Sequence, residues 1–376
     1  QFILSYNGEI YNFQELRAEL ERLGHQFHSR TDSEVVLNSW VEWGENCVYR
    51  FNGMFAFSIW DKRTKTLFLV RDRYGIKPLY YATWGGTFLF GSEQKAILEH
   101  PEAKSVIDKR ALLEYFTFQN IFTNRTLFKN IKLLQPASIG KLQYGRNKTL
   151  SIWHYWDYHF EEPKKAIDQY EYQSELNRLV KQAVGRQLVT DVELGSYLSG
   201  GMDSGTLTAI ASKQLPYMKT FTCGFDLSSA SGLELAYDER KKAEAMSAIF
   251  KTEHYQMVLK SGDMERCLGI LAYHLEEPRV GQSYPNYYAA QLASKFVKVV
   301  LSGTGGDELF GGYPWRYYRA AVNNSFDEYI NKYYLFWQRL IPNKEIKNVF
   351  KPIWKDVCNV WTKDIFRDVF SNHENH

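Results

Sequence analysis

Residues 192–215 read VELGSYLSGGMDSGTLTAIASKQL. VELGSYL (192–198) has the length and residue types of a strand. Ser199 to Ser204 is a glycine turn, and TLTAIASKQL (206–215) carries apolar residues at helical spacing. The same order recurs downstream. KTFTCGF (219–225) reads as a strand and leads to a helix over 239–250 with Ala243, Met246 and Phe250 on one face. TEHYQMVL (252–259) reads as a third strand. After the helical stretch PNYYAAQLASKF, FVKVVLSG (296–303) reads as a fourth. Strands alternating with helices predict an α/β doubly wound parallel sheet, and such sheets take ligands at the carboxyl ends of their strands.

The first loop lies at such an end. Gly200 and Gly201 let backbone N–H groups approach an anion closely, and the following helix adds its positive N-terminal end. Ser199 and Ser204 offer hydroxyl donors. Asp203 would repel a bare phosphate, so its presence implies a bridging Mg²⁺. No GxxxxGK[ST] and no GxGxxG is present, and a loop without the Walker lysine suits a departing pyrophosphate better than a transferred γ-phosphate. Read only as structure, the six residues would be a turn capped by Asp203. SGTGGDELFGGY (302–313) repeats the logic: Ser302 and Gly303 end a strand, while Asp307 and Glu308 open a helix. If the two strands are parallel neighbours, the loops lie side by side and Asp203 and Asp307 can share one Mg²⁺.

The first 150 residues have a different rhythm. FQELRAELERLGH (13–25) is helical through Leu16, Leu20 and Leu23 and stops at Gly24. FNGMFAFSIWD (51–61), TLFLVRD, KPLYYAT and TFLFGS are short, aromatic or β-branched, and separated by turn residues, as in antiparallel sheets. KLLQPASIGKLQYGRNKTLSIWHYW (132–156) reads as a last pair of strands, and the polar run FEEPKKAIDQYEY marks a boundary near residue 160. The 376 residues, 44% of them hydrophobic, provide for two cores. A net charge of +3 argues for neither nucleic acid nor a membrane surface, and no run of 18 apolar residues occurs. Cys47, Cys223, Cys267 and Cys358 are widely spaced, so free thiols and a cytoplasmic location are expected.

SGGMDS, CGF…YDER and SGTGGDELFGGY together resemble the ATP-pyrophosphatase half of the glutamine-hydrolysing asparagine synthetase family. NGEIYN (7–12), RTDSEV (30–35), FNGMFAFSIWD, RDRYGIKPLYY (71–81) and FGSEQKAI (90–97) resemble its glutaminase domain. The resemblance runs to about residue 320. It implies an α+β N-terminal-nucleophile glutaminase domain of layered antiparallel sheets over 1–158, followed by the ATP-pyrophosphatase domain over 170–376. It further implies that the first lacks its N-terminal part and the second its C-terminal part. In this family the glutaminase nucleophile is an N-terminal cysteine, whereas residue 1 is Gln, which is why the chain reads as truncated. Asn7 and Gly8 match the oxyanion-stabilising pair, and Glu9 and Asp32 match the carboxylates that hold the α-amino group of glutamine. Leu198, Cys223, Ser302 and Gly303 match nucleotide contacts. Ser199, Gly200, Gly201 and Ser204 match the pyrophosphate loop, and Asp203 and Asp307 match Mg²⁺ ligands.

The resemblance therefore implies ATP-dependent formation of an amide from a carboxylate through an acyl-adenylate, with glutamine as nitrogen donor and aspartate as first candidate acceptor. One position departs from the pattern. Thr304 stands where the family carries an acidic residue tied to acyl-adenylate chemistry, and a hydroxyl cannot act as a carboxylate base. That favours, as one alternative, an amide or lactam synthetase with another acceptor; the missing cysteine and the two missing ends favour another, a non-catalytic nucleotide-binding relic. The expected partners are small molecules (glutamine, ATP, a carboxylate); no nucleic acid and no membrane are expected, and a homodimer is compatible. Asp238 and Glu239 read as a helix cap more readily than as site residues.

Overall fold

A computed structural model describes residues 1–145, 150–159, 161, 168–228, 238–278, 283–317, 322–338 and 340–371. The chain forms two compact units, Gln1–Glu162 with Asn324–His376, and Pro163–Asn323.

The first unit contains strands β1 (Phe2–Ile10), β2 (Gly53–Asp61), β3 (Thr66–Arg71), β4 (Tyr80–Trp84), β5 (Thr87–Gly91), β6 (Lys132–Leu133), β7 (Ser138–Gln143) and β8 (Ser151–His154). They make a five-stranded sheet ordered β1-β2-β3-β7-β8 and a three-stranded sheet ordered β5-β4-β6, both antiparallel. Alternation along β2 explains the layers. Phe55, Phe57 and Ile59 enter a core shared with Leu16 and Leu20 of helix Phe13–Arg22 and Val35, Val36 and Trp40 of helix Asp32–Trp43. Ala56, pointing the other way, joins Leu69, Leu79, Tyr81 and Leu134 in a second core. The expected pair of strands after residue 132 divides: β6 joins the small sheet, β7 and β8 the large one.

Sequence reading found one helix here, and the structure adds Asp32–Trp43, Gln94–Leu98 and Lys109–Phe118. The second of the four is apolar and β-branched enough to pass for strand, but its start is specified. Thr31 accepts from Glu34 N, while the Glu34 carboxylate accepts from His28 N and Ser29 N. Asp108 caps the last by accepting from Arg110 N and Ala111 N, and Gln119 ends it in the left-handed region.

The turn in RDRYGIKP is built on a buried carboxylate. Asp72 is fully buried and accepts from the backbone N–H groups of Phe55 (3.1 Å), Tyr74, Ile76 and Lys77 (3.0 Å each). Arg71 donates to the carbonyls of Lys77, Leu134 and Gly75. The pair ties β2, β3 and the loop into β4 together.

The tail departs from the expected domain plan. Sequence reading put all of 170–376 in one second domain, but from Asn324 onward the chain packs in the first unit. Leu113 lies with Ile346, Phe350 and Val357, and Phe118 with Ile330, Tyr334 and Phe366. Helix Lys109–Phe118 carries more apolar side chains than its own sheet covers, and the C-terminal helices bury them.

The second unit holds β9 (Leu194–Tyr197), β10 (Lys219–Phe225), β11 (Glu253–Leu259) and β12 (Val299–Leu301), all parallel, ordered β11-β10-β9-β12. Leu194 and Met218 pack with Val184 and Ala211, from helices Gln169–Gln187 and Met202–Ala211. Tyr197, Phe221 and Tyr255 pack with Leu292 and Ala293 of helix Ser283–Ala293. Among the described residues no helix is long and apolar enough to cross a membrane.

Asp72→Ala is expected to destabilise the first unit by about 3 kcal/mol, because it removes a buried carboxylate that accepts from four backbone N–H groups, the one on Phe55 buried. Asp72→Asn, which keeps acceptor oxygen but loses charge, should cost less. Denaturant unfolding checks both; equal stability of Asp72→Ala and the parent would refute the latch.

Candidate functional site

In the second unit β12 pairs with β9 in parallel, Leu301 opposite Ser196, so both glycine loops leave the sheet at the same end. The first is fixed where it leaves β9. Leu198 N donates to Phe221 O at 3.0 Å, and Thr222 Oγ1 donates to Leu198 O. Within it Ser199 N donates to Ser204 Oγ at 3.1 Å, the two serine hydroxyls lie 3.0 Å apart, and Gly201 N donates to Ser199 Oγ at 3.3 Å. Gly200 is in the left-handed region at φ +79°, and Gly201 opens helix Met202–Ala211.

The second loop touches the first through glycine. A Cβ on Gly303 would lie 2.7 Å from Ser204 N, and one on Gly306 would lie 2.5 Å from Asp203 Cγ. The Asp203 carboxylate thus rests against the residue preceding Asp307, whose own Oδ1 is turned toward Gly312. Among the described residues no three His, Cys, Asp or Glu side chains form a metal cage. Two carboxylates in adjacent first turns suit Mg²⁺, which is usually held by one or two carboxylates with substrate phosphates and water. Ser302 and Thr304 are exposed; their hydroxyls lie 2.8 Å apart, and Thr304 N donates to Ser302 Oγ.

A third wall was not foreseen. Helix Arg240–Phe250 starts against the first loop, because a Cβ on Gly200 would run into Lys242 Cβ. Asp238 caps as expected, accepting from Arg240 N at 3.1 Å and pairing with its guanidinium. Glu239 differs: its side chain makes no cap bond and instead meets Ser199. Burial pushes its carboxyl above the ordinary value. Leu198 is buried, and Cys223 lies on β10 beyond the stretch paired with β9, its thiol pushed up to about 12 by burial and by Asp263. A thiol so placed is a neutral packing group at physiological pH.

In the first unit Asn7 and Glu9 share the exposed face of β1, with Gly8 between them. A Cβ on Gly8 would meet Met54 O at 2.5 Å, so β1 and β2 need glycine there. Asn7 Nδ2 donates to Ser92 Oγ at 3.1 Å, tying NGE to FGSEQKAI. Asp32 opens helix Asp32–Trp43, and its Oδ2 accepts from Ile10 N at 3.0 Å and Tyr6 OH at 2.5 Å. Burial first, then Asp32 and Glu9, hold the Tyr6 phenol protonated far above its ordinary range. Asn7, Gly8 and Glu9 lie near the end of β1, where Asp32 bonds to Ile10 N. Sequence reading missed Tyr6, Ser92 and Lys242, which are placed by tertiary contacts, and weighed Glu239 as a site residue but favoured the cap; only the NGE and FGS motifs offered a hint of Ser92.

Gly303→Ala is expected to keep the sheet but force the loops apart, lowering stability by about 1–3 kcal/mol. Gly305→Ala, with open space at its Cβ but φ +100°, isolates backbone strain from crowding. Thermal unfolding of the two variants, with hydrogen exchange at Ser204 N, checks the contact; unaltered exchange in Gly303→Ala would refute it.

Residues 1–156 match the family model for the glutamine amidotransferase domain, and residues 175–374 that for asparagine synthase. The chain is 36% identical over 371 residues to glutamine-hydrolyzing asparagine synthetase 3 of Bacillus subtilis (strain 168), covering 92% of this chain and 58% of that protein. A putative glutamine-hydrolyzing asparagine synthetase 2 of Methanocaldococcus jannaschii is 36% identical over 317 residues, covering 83% of this chain and 59% of that protein. The asparagine synthetase of Zea mays is 30% identical over 341 residues, 85% of this chain and 50% of that protein. The chain thus spans little more than half the length of these relatives. With a glutamine amidotransferase domain ahead of an asparagine synthase region that alone covers over half its residues, the chain belongs to the asparagine synthase family.

Proposed function

We propose that this chain is the amidotransferase and nucleotide-binding part of an ATP-dependent, glutamine-dependent amide ligase, with aspartate as acceptor and asparagine as product. The observation that carries the reading is the contact of the two glycine loops at the carboxyl ends of β9 and β12. In lineage the chain divides into an N-terminal-nucleophile glutaminase, 1–158, and a doubly wound ATP-pyrophosphatase region, 170–376.

In the second unit the loop of Ser199, Gly200, Gly201 and Ser204, held in shape by its own hydrogen bonds, would cradle the departing pyrophosphate. Leu198, Cys223, Ser302 and Gly303 contact the nucleotide, leaving the α-phosphorus open to the acceptor carboxylate. Attack there forms the acyl–phosphate bond, breaks the bond to the β-phosphate oxygen and expels pyrophosphate. Ammonia then attacks the acyl carbon, AMP leaves, and the amide remains. Asp203 and Asp307 would hold Mg²⁺, which when bound neutralises the leaving phosphates. In the first unit Asn7 and Gly8 donate to the oxyanion of glutamine hydrolysis, while Glu9 and Asp32 bind the α-amino group. Asp32 keeps one oxygen largely uncommitted for this, since Tyr6 and Ile10 both use Oδ2.

A second reading rests on Thr304. Its hydroxyl is paired with Ser302 and supplies no negative charge, which favours an acceptor other than aspartate.

The test is AMP and pyrophosphate release by the full-length protein with ATP, Mg²⁺ and a series of carboxylates. Stimulation by aspartate supports the first reading, stimulation by another acid the second. Failure to bind nucleotide with or without Mg²⁺ would leave only a relic of the fold. Asp203→Asn is expected to weaken Mg-ATP binding at least tenfold with unchanged unfolding; unchanged affinity would remove Asp203 from the site.

A further inference from the structure

The first loop lacks the lysine that phosphate loops of the Walker type place on the terminal phosphates, yet it sits among carboxylates. Asp203 lies in its first helical turn, Asp307 in the neighbouring loop, and Glu239 against Ser199. A triphosphate entering such a place needs positive charge beyond one divalent ion.

Three basic residues open helix Arg240–Phe250. Arg240 is committed: its guanidinium holds both Asp238 oxygens and donates to Phe225 O. Lys241 makes no recorded contact with either loop. Lys242 is different, because its Cβ lies against Gly200. Its side chain is exposed and makes no ion pair among the described residues, and its charge acts on Glu239, the partner of Ser199. A long flexible stem rooted on the loop leaves the ammonium free to follow an anion.

We propose that Lys242 is a phosphate-binding cation of the site, supplied by a tertiary contact rather than by the loop itself, and that it binds the β- and γ-phosphates of the nucleotide. Gly200 is then required twice, for its left-handed φ and to admit the Lys242 stem. Lys242 makes no ion pair among the described residues, so its ammonium would meet the phosphates without first leaving a carboxylate. Lys242 serves binding of the β/γ end alone, so AMP should be indifferent to it. This inference rests on reading the loops as a triphosphate site.

The test measures binding of Mg-ATP, pyrophosphate with Mg²⁺, and AMP to the full-length protein and its Lys242→Met and Lys242→Arg variants. Lys242→Met is expected to weaken Mg-ATP and pyrophosphate about tenfold or more while AMP binding stays unchanged, and Lys242→Arg should recover most of the loss. A parent protein that binds AMP and Mg-ATP, with a Lys242→Met variant that binds Mg-ATP equally tightly, overturns the role of Lys242 and leaves the site standing. Equal weakening of AMP and Mg-ATP overturns it too, since the effect would then lie outside the β/γ end. A parent that binds no Mg-ATP overturns both the site and this inference. The variants should unfold like the parent, because the side chain is exposed.

Discussion

The parallel pairing of β12 with β9 sets everything that follows in the second unit. With Leu301 opposite Ser196, each strand ends within a few residues of the other's turn, and neither turn can be moved independently. The approach is so close that any side chain at Gly303 would strike Ser204 N, and any at Gly306 the Asp203 carboxylate. Shifting the register would bring a different set of residues against Asp203. Glycine at these positions therefore follows from the strand pairing, and the place of the Asp203 carboxylate against Gly306, the residue before Asp307, follows from the glycines. Thr222 Oγ1 on Leu198 O and Leu198 N on Phe221 O extend the constraint to β10, so three strands define the mouth of one loop.

The first unit obeys the same logic through different chemistry. Asp72 is surrounded by backbone N–H groups from β2 and from the turn it anchors. Such a group is costly to bury and strongly held once its donors converge. It fixes the exit from β3 relative to β2, whose Phe55 faces Gly8 across the sheet. Asp32 acts similarly at the end of β1, where the Ile10 N–H has no strand partner. A residue expected to bind substrate thus also closes the sheet edge, and Tyr6 stays protonated against it.

Much of this was legible because short-range rules and tertiary demands agree. The βα alternation from 192 to 303 and the two glycine loops were readable from strand length and turn residues, whereas their adjacency was conditional until β12 was seen beside β9. What was not readable depends on contacts distant in sequence. Helix Asp32–Trp43 is rich in β-branched and apolar residues, and its start is marked by Thr31, whose side chain accepts from Glu34 N. The tail from Asn324 follows the second unit in sequence but packs on Leu113 and Phe118, since an apolar helix face is indifferent to where along the chain its cover comes from. Asp238 and Glu239 are neighbours with similar side chains; one caps and the other turns to Ser199, a difference of a single rotation along the chain that no local pattern records.

Thr304 separates two properties that are joined in the family pattern. Binding a nucleotide requires backbone donors and a cation, and both loops retain the glycines and serines for it. Choosing an acceptor requires a group that senses the acceptor's own charge, and here that group is a hydroxyl already engaged with Ser302. A carboxylate in its place would attract an ammonium and repel an acid; a hydroxyl does neither and reads shape and hydrogen bonding instead. On the proposed function, the triphosphate half of the site is set by sheet geometry and the acceptor half by one exposed side chain, so acceptor preference would change by substitution at Thr304 without disturbing the register of β9 and β12.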